Sequence, residues 1–475
     1  MRATFLCSVI VVITLLATSA WSPKVVLPPA TNRDYFAYEN IPADHDYPAA
    51  ENVLLGFRDA VDVKAMRRHA WNLWAGLTAP SKSSWKGQTL PIFETWYSIP
   101  EVFEKPYLEQ QPASKERPFH RAFEIPHQVI HARDRFGGSS PAQLSFVKFN
   151  QAAANFIWEN KYHLRSTLDS LNERHDAQKT PIEQREIKPF PREAVALKLV
   201  YWLVKQADSP QSQNGLTAMP YWDPDYPAPK DGRPPMHLTW TKCVAVDPAG
   251  KYPKSSQQKV TCNGKDVVAE VMGLDRFYSY QLRDPSEVER ARLFMKHLSV
   301  AKEQERFVTD PAQVPELNDF VILLAMHVTT KELDDWTFQT FWWSPKPDAA
   351  PHGLDRPASV HGVWANYQMC TAYSMDTPKT GSGGPPICFN PYLETDLGPT
   401  KPFMLAGNHY SADPMAGTRS NCMTCHRRAG WPEAKSNYGR VFNEGFLDRR
   451  DPYFAGITTT DFLWSIVLQA QPKKK

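Results

Sequence analysis

Residues 195–204 read VALKLVYWLV, a short apolar run that follows Pro191 and ends before a polar segment. β-Branched and aromatic side chains dominate the run, and residues of these types favour strands. Flanking proline and polar residues are typical of strand boundaries. The run therefore predicts a buried β-strand.

Four further stretches predict strands. Residues 238–246 and 259–262 are short β-rich segments that each contain one cysteine. Residues 321–330 and 336–343 are β-branched or aromatic runs separated by the polar segment KELDD. This pattern predicts that the latter two strands are adjacent.

Two stretches predict helices. Apolar residues recur near helical spacing over residues 55–77, and residues 141–171 carry a second helical stripe that begins at Pro141. Together with the strands they predict an α+β fold: a large mixed body with antiparallel strands and peripheral helices. A short, mainly helical C-terminal portion is expected to follow the body.

Composition divides the chain into five parts. Residues 1–20 have the character of a signal peptide, and residues 21–54 form an extended lead-in rich in proline, alanine and tyrosine. The α+β body spans 55–345. A Pro/Gly-rich connection spans 346–400, and the C-terminal portion spans 401–475.

The start of the chain predicts export. Arg2 supplies a positive charge, residues 9–16 are apolar, and small residues allow cleavage after Ala20. We therefore expect a periplasmic or secreted protein with no membrane span after the signal is removed. The net charge is only +3, which favours no role in nucleic-acid binding.

Cysteine usage agrees with an oxidising compartment. Apart from Cys7 in the signal and two cysteines near residue 425, four remain at two short separations. Proximity predicts the disulfides Cys243–Cys262 and Cys370–Cys388, although four cysteines allow three connectivities. A zinc site from these four is the weaker alternative, because none of them is in a C-x-x-C pair.

Residues 422–426 read CMTCH, which matches the C-x-x-C-H attachment motif of c-type haem. Cys422 and Cys425 would form thioethers with the haem vinyl groups, and His426 would bind the iron. A thioredoxin-like dithiol and a zinc site are the alternatives. A thioredoxin-like dithiol usually follows a β-strand, but here the motif follows a run of Gly, Asn, Pro and Ser. A zinc site would need a second pair of ligands close by.

The sixth iron ligand is a separate question, because neither Met nor His follows His426. A small class I cytochrome has its Met ligand downstream of the motif, so this chain departs from that pattern. Met404, His409 and Met415 are the nearby upstream candidates for the sixth position. A distant His or Met, or an open iron, are the other possibilities.

A second functional centre could lie in residues 321–343, where His327 stands among many aromatic side chains. Aromatic residues on an alternating strand are most often core residues. We therefore expect His327 to be a structural histidine.

The segments 327–343 and 421–426, together with Asp461-Phe462-Leu463, resemble secreted bacterial proteins described as cytochrome c family proteins. The resemblance covers the last third of the chain. It implies a single covalent haem c on a large domain, and it gives no indication of a substrate.

These observations lead to the expectation of a periplasmic mono-haem c-type cytochrome that binds haem and transfers electrons. Its body would dock a redox partner protein or oxidise a small-molecule substrate, as the electron-accepting part of an oxidoreductase. Two alternatives stay open. One is a haem enzyme of the peroxidase or oxygenase type with open distal iron, and the other is a non-catalytic haem sensor or binding protein.

Overall fold

The computed structural model describes residues 37–104, 121, 143–226, 240–300, 314–375, 388, 390–393, 422–432 and 447–472. The predicted signal peptide lies outside these residues. So do Met404, His409 and Met415, the three predicted candidates for the sixth iron ligand.

A large antiparallel sheet forms the centre of the described structure. Its order is β13-β12-β11-β5-β4-β3, and β10 pairs with the first part of β11. Its strands are β3 (Tyr97–Ser98), β4 (Gln143–Phe149), β5 (Val195–Val204), β10 (Ser279–Gln281), β11 (Phe320–Thr330), β12 (Thr337–Trp343) and β13 (Tyr367–Ala372).

The strand predicted from residues 195–204 is confirmed as β5, which lies between β4 and β11. The two strands predicted on either side of KELDD are confirmed as β11 and β12, which pair as an antiparallel hairpin. Registers on both sides of β11 place Lys198, His327 and Thr340 in one row across the sheet.

One face of this sheet packs against two helices, α1 (Glu51–Asp59) and α2 (Val63–Thr78). The indoles of Trp71 and Trp74 lie 5.5 Å and 4.3 Å from the ring of Phe341 on β12, measured between ring centroids. A hydrophobic cluster continues from these rings along β5 and β11. This face therefore holds the main core.

The opposite face carries the C-terminal elements. They are α6 (Cys422–Arg427), β14 (Gly430–Trp431), β15 (Thr458–Thr459) and α7 (Trp464–Gln469). Their apolar side chains share one cluster with sheet residues Phe149, Ala196 and Phe338. Phe338 and Phe341 are three residues apart on β12, so alternation points them to opposite faces. The C-terminal elements thus form a layer on the sheet.

The helix predicted over residues 141–171 is wrong in its first part, because residues 143–149 form β4. Leu144, Phe146 and Phe149 are buried, and β4 pairs with β5 along its whole length. Two helices follow, α3 (Gln151–Glu159) and α4 (Arg165–Ala177). The Asn150 side chain caps α3 by accepting a hydrogen bond from the backbone N–H of Ala153.

The helix predicted over residues 55–77 is divided into α1 and α2. Val61 between them has φ +53°, a left-handed conformation that no helix interior allows. Asp62 then caps α2 by accepting a hydrogen bond from the N–H of Ala65, at 2.9 Å.

A smaller mixed sheet contains the first predicted disulfide. Its order is β6-β7-β9-β8, with β7 and β9 parallel. Its strands are β6 (Thr217–Pro220), β7 (Cys243–Asp247), β8 (Gln257–Cys262) and β9 (Lys265–Gly273). The remaining elements are a hairpin of β1 (Pro80–Trp85) with β2 (Gln88–Pro91) and the helix α5 (Pro285–Val300).

Both predicted disulfides are confirmed. The Cα atoms of Cys243 and Cys262 are 6.6 Å apart, and those of Cys370 and Cys388 are 5.5 Å apart. The α+β class is also confirmed, because helices flank a largely antiparallel sheet. No helix among the described residues has the length and apolar character that crossing a bilayer requires.

Candidate functional site

The C-x-x-C-H motif forms the short helix α6, which lies on the sheet. Cys422 is 4% exposed and Met423 is fully buried, whereas Cys425 and His426 are half-buried. Both motif cysteines lie outside the two disulfides. Residues three apart on a helix share one side, so both thiols can reach one ligand.

His426 is oriented by a hydrogen bond to the chain that follows the motif. Its Nδ1 lies 2.8 Å from the carbonyl oxygen of Phe462. A carbonyl only accepts, so Nδ1 carries the proton and Nε2 carries the lone pair. Metal-binding histidines usually donate their other ring N–H in this way, because the hydrogen bond sets the tautomer and the ring orientation.

Burial favours the neutral form of His426. It lowers the pKa of His426 to about 4, against the opposing effect of the Phe462 hydrogen bond, and the positive charge of Lys198 lowers it further. The imidazole is therefore neutral near pH 7, which is the form that binds iron. The ring of Phe338 lies edge-on to it, with the centroids 5.0 Å apart.

The Phe462 carbonyl is held in place by an unusual turn. Asp461 and Phe462 both have positive φ, +47° and +67°. The carboxylate of Asp461 accepts hydrogen bonds from Lys331 Nζ at 2.8 Å and Trp336 Nε1 at 3.2 Å, and its second oxygen accepts from the N–H of Phe190 at 2.9 Å. Such strained backbone persists when its surroundings fix it. We call Asp461, Lys331 and Trp336 the Asp461 clamp.

The Asp461 clamp joins the motif to the β11–β12 hairpin. Lys331 and Trp336 are buried residues of that hairpin, and Trp336 also has positive φ, +64°. Trp464 Nε1 donates to the carbonyl of Cys425 at 3.2 Å, and β14 pairs with β15 just after the motif. Helix α6 is therefore fixed from two sides.

His327 and Lys198 lie on the sheet face that α6 covers. They share a register row with Cys370, whose disulfide partner Cys388 accepts a hydrogen bond from the Cys422 thiol at 3.7 Å. Burial lowers the pKa of His327 well below its usual value, and the nearby side chains of Lys198 and His426 lower it further. Both Lys198 and His327 are half-buried. The motif therefore lies next to the register row that contains Lys198 and His327.

Sequence reasoning treated His327 as structural, whereas the structure places it within electrostatic range of His426. The residues are far apart in the sequence, and only strand pairing brings them together. The sequence contains two signals: His327 stands among many aromatic side chains in residues 321–343, and residues 327–343 belong to the segments of the cytochrome resemblance.

Two arginines directly after the motif are buried. Burial lowers the pKa of Arg427 and that of Arg428 to about 10. Arg427 pairs with the carboxylate of Asp335 at 3.5 Å, and the carboxylates of Glu186 and Asp461 also act on its charge. Its Nε has no hydrogen-bond partner among the described residues. An anionic group would be stabilised here, and the haem propionates are such groups.

Two other arginines of this region already have carboxylate partners. Arg449 pairs with Glu186 at 3.2 Å and Asp335 at 3.1 Å, and Arg450 pairs with Asp448 at 2.9 Å. They line, with Arg427, a charged cleft of about 420 Å³ at the protein surface. This cleft is open to water and carries both signs of charge.

The donor set of the motif fits a covalent haem c. Two thiols share one side of a helix, a neutral histidine presents Nε2, and two guanidinium groups are buried directly after the motif. Across the described ranges, no group of three or more His, Cys, Asp and Glu side chains could hold a metal ion by itself.

Comparisons of the chain with protein-family models, with curated proteins and with solved structures found no match. Function must therefore be inferred from the chemistry of the site itself.

Proposed function

We propose that this protein is a c-type cytochrome that binds one haem covalently through Cys422 and Cys425 and uses His426 as an iron ligand. The observation that carries the proposal is the 2.8 Å hydrogen bond from His426 Nδ1 to the Phe462 carbonyl. It leaves Nε2 as the ligand nitrogen on the same short helix as two thiols. A dithiol redox site would need no such histidine.

The residues around the motif would each perform one task. The thiols bind the porphyrin edge, and the Asp461 clamp holds the carbonyl that orients His426. Phe338 and the buried sheet face exclude water from that side of the ring, and Arg427 would pair with a propionate. When bound, the haem supplies an iron that carries one electron between its ferrous and ferric states.

We infer electron transfer with a redox partner protein as the leading activity. The charged cleft beside Arg427 offers opposite charges for such docking, and charge complementarity sets the rate and specificity of encounter. Two disulfides support a location in an oxidising compartment, which is where c-type haem is attached, so we propose the periplasm or the exterior.

A second candidate is a haem enzyme with an open distal position. The row containing His327 and Lys198 favours it, because half-buried basic groups beside a metal can bind or protonate a small ligand. Met404, His409 and Met415 remain the predicted alternatives for a sixth ligand. Low-spin ferric iron that loses this state in only one of the variants M404A, H409A, M415A and H327A would identify the ligand. High-spin iron that binds cyanide would favour the enzyme.

The attachment test uses protein produced in a periplasm that has a c-type maturation system. We expect the mass of one haem on the denatured chain and a c-type pyridine haemochrome. C422S/C425S should lose the covalent haem, whereas M423L, a change in the same helix, should keep it. A wild-type chain that folds, retains both disulfides and carries no haem would refute the proposal.

A further inference from the structure

A second polar cluster lies outside the motif, where α2 meets the β11–β12 hairpin and the end of β13. It consists of His69, Glu332 and Tyr373. The Tyr373 hydroxyl is hydrogen-bonded to His69 Nδ1, and His69 Nε2 lies 3.2 Å from Glu332 Oε1. Tyr373 is 4% exposed, Glu332 is fully buried and the His69 side chain is 8% exposed. The three side chains form a Tyr–His–Glu triad.

The direction of each hydrogen bond in the triad follows from Glu332. Burial raises the pKa of Glu332, but hydrogen bonds from His69, from Thr330 at 2.6 Å and from the N–H of Ala49 at 2.8 Å lower it overall. The group is thus a carboxylate, which only accepts. His69 therefore carries its proton on Nε2, and its Nδ1 accepts the proton of the Tyr373 hydroxyl. The arrangement follows the logic of a nucleophile–histidine–acid triad.

Burial excludes a substrate from the phenol. Tyr373 packs in an apolar cluster with Leu54, Met66 and Leu333. A triad closed in this way cannot touch a molecule from solvent. It can still exchange a proton within its own hydrogen bond and an electron with a redox centre nearby.

The redox centre proposed above is close by in the sheet. Tyr373 follows Ala372, which pairs with Phe338 on the neighbouring strand. The Phe338 ring contacts His426. One strand pairing and one ring contact therefore connect the triad to the proposed iron ligand, although the two sites lie on opposite faces of the sheet.

We propose that Tyr373 is a redox-active tyrosine that gives one electron to a haem at the motif while its phenolic proton moves to His69. The inference rests on the proposed covalent haem. The O–H bond of Tyr373 breaks, its oxygen becomes a neutral radical, and His69 becomes an imidazolium. The oxidant is hydrogen peroxide: its reduction to two waters would need two protons from solvent and two electrons, of which Tyr373 would supply one and the haem the other.

The triad makes this transfer possible because it removes the proton together with the electron. A tyrosine oxidised without proton loss would be a buried cation, which is strongly unfavourable. Here the positive charge would arise on His69, 3.2 Å from a buried carboxylate. The imidazolium of His69 would therefore pair with a carboxylate, Glu332, that other hydrogen bonds already stabilise.

Two oxidants test the inference on the full chain: hydrogen peroxide on the haem-loaded protein, and a flash-excited ruthenium tris-bipyridine complex with persulfate. Electron paramagnetic resonance records the organic radical, and ring-deuterated tyrosine identifies it as a tyrosyl. We expect Y373F and H69Q to lose most of the wild-type signal. Y367F is the matched control. Tyr367 is a fully buried residue of β13, the strand that ends just before Tyr373, and its hydroxyl donates to the carbonyl of Leu323 at 2.7 Å, a group that takes up no proton.

The outcomes separate this inference from the proposed function. A haem-loaded wild type with an equal signal in Y373F overturns the redox role of Tyr373 and leaves the haem proposal intact. A wild-type signal in H69Q overturns the role of His69 as proton acceptor. If no haem is attached, the proposed function fails, and the ruthenium experiment alone decides whether Tyr373 is oxidised in preference to Tyr367. The melting temperatures of the variants show that each is folded.

Discussion

Replacing Asp461 by alanine should destabilise the protein and release His426. The Asp461 carboxylate accepts from Lys331, Trp336 and the N–H of Phe190. The Lys331 and Asp461 side chains are 6% and 11% exposed, so this ion pair is almost completely buried.

The magnitude follows from what the substitution leaves behind. Removing one partner of a buried ion pair costs about 3–5 kcal/mol, because the other charge remains buried. Two neutral hydrogen bonds are worth about 1 kcal/mol each. Lys331 keeps its contact with the carbonyl of Asp334, at 2.6 Å, which offsets part of the loss. We therefore expect D461A to lower the free energy of unfolding by about 4 kcal/mol.

Urea unfolding followed by tryptophan fluorescence measures this change. D461N keeps an acceptor for Trp336 but loses the charge, so it should fall between D461A and wild type. D448A is the control, because Asp448 pairs with Arg450 at the exposed surface of the same region, and its removal should change stability little. A loss in D461A below about 1 kcal/mol, or no larger than in D448A, would show that the clamp does not hold the turn.

The second readout is His426, the proposed iron ligand. With the haem attached, D461A should weaken the His426–Phe462 hydrogen bond and shift the reduction potential, since hydrogen bonding to an axial histidine changes its basicity. An unchanged potential in a folded, destabilised D461A would mean that Asp461 stabilises the hairpin without orienting His426.

Three further changes test the fold. W74A removes a fully buried indole stacked on Phe341 and should cost about 3–5 kcal/mol in urea unfolding, whereas V268A at a position 71% exposed should have little effect; equal effects would contradict the assigned core. C243A/C262A should lower the free energy of unfolding by about 2–4 kcal/mol. Dithiothreitol should also destabilise the wild type, and it should destabilise the variant less, because the variant lacks this disulfide. Burial lowers the pKa of His352 to about 4, against the opposing effect of the hydrogen bond that its ring donates to the Met369 carbonyl. The unfolded chain therefore binds more protons between about pH 6.5 and pH 4, and stability falls as the pH falls through that window. H352N should therefore show a shallower loss of stability over this window than wild type, and parallel curves would contradict the burial of a neutral His352.

Local sequence patterns were sufficient for several elements. The run at 195–204 and the two runs beside KELDD were predicted as strands because their composition suits only a buried strand. Both disulfides followed from the spacing of the cysteines. The helix predicted over 141–171 failed in its first part, because the pairing of β4 with β5 outweighs a helical stripe that extends through residues 143–149.

The candidate site shows the same division. Cys422, Cys425 and His426 were proposed as a haem site from the sequence alone, because the C-x-x-C-H motif lies within five consecutive residues. Asp461 was noticed only within a resemblance, and its contacts with Lys331 and Trp336 span 130 and 125 residues. Nothing in the local pattern of either segment indicates that contact.

The sequence by itself determined the strands at the centre of the sheet and the cysteine pairs, and it predicted the chemistry of the motif, since each depends on residues that are close together in the chain. Only the tertiary structure decided that the Asp461 clamp orients His426, that His327 and Lys198 share the sheet face under the motif, and that His69, Glu332 and Tyr373 form a triad. Those contacts arise from strand register and from the packing of a C-terminal layer on the sheet. Both depend on the burial of apolar surface by the whole chain, and no short segment carries that information. The CMTCH stretch predicts which group can be attached, and the fold around it determines which residues that group would contact.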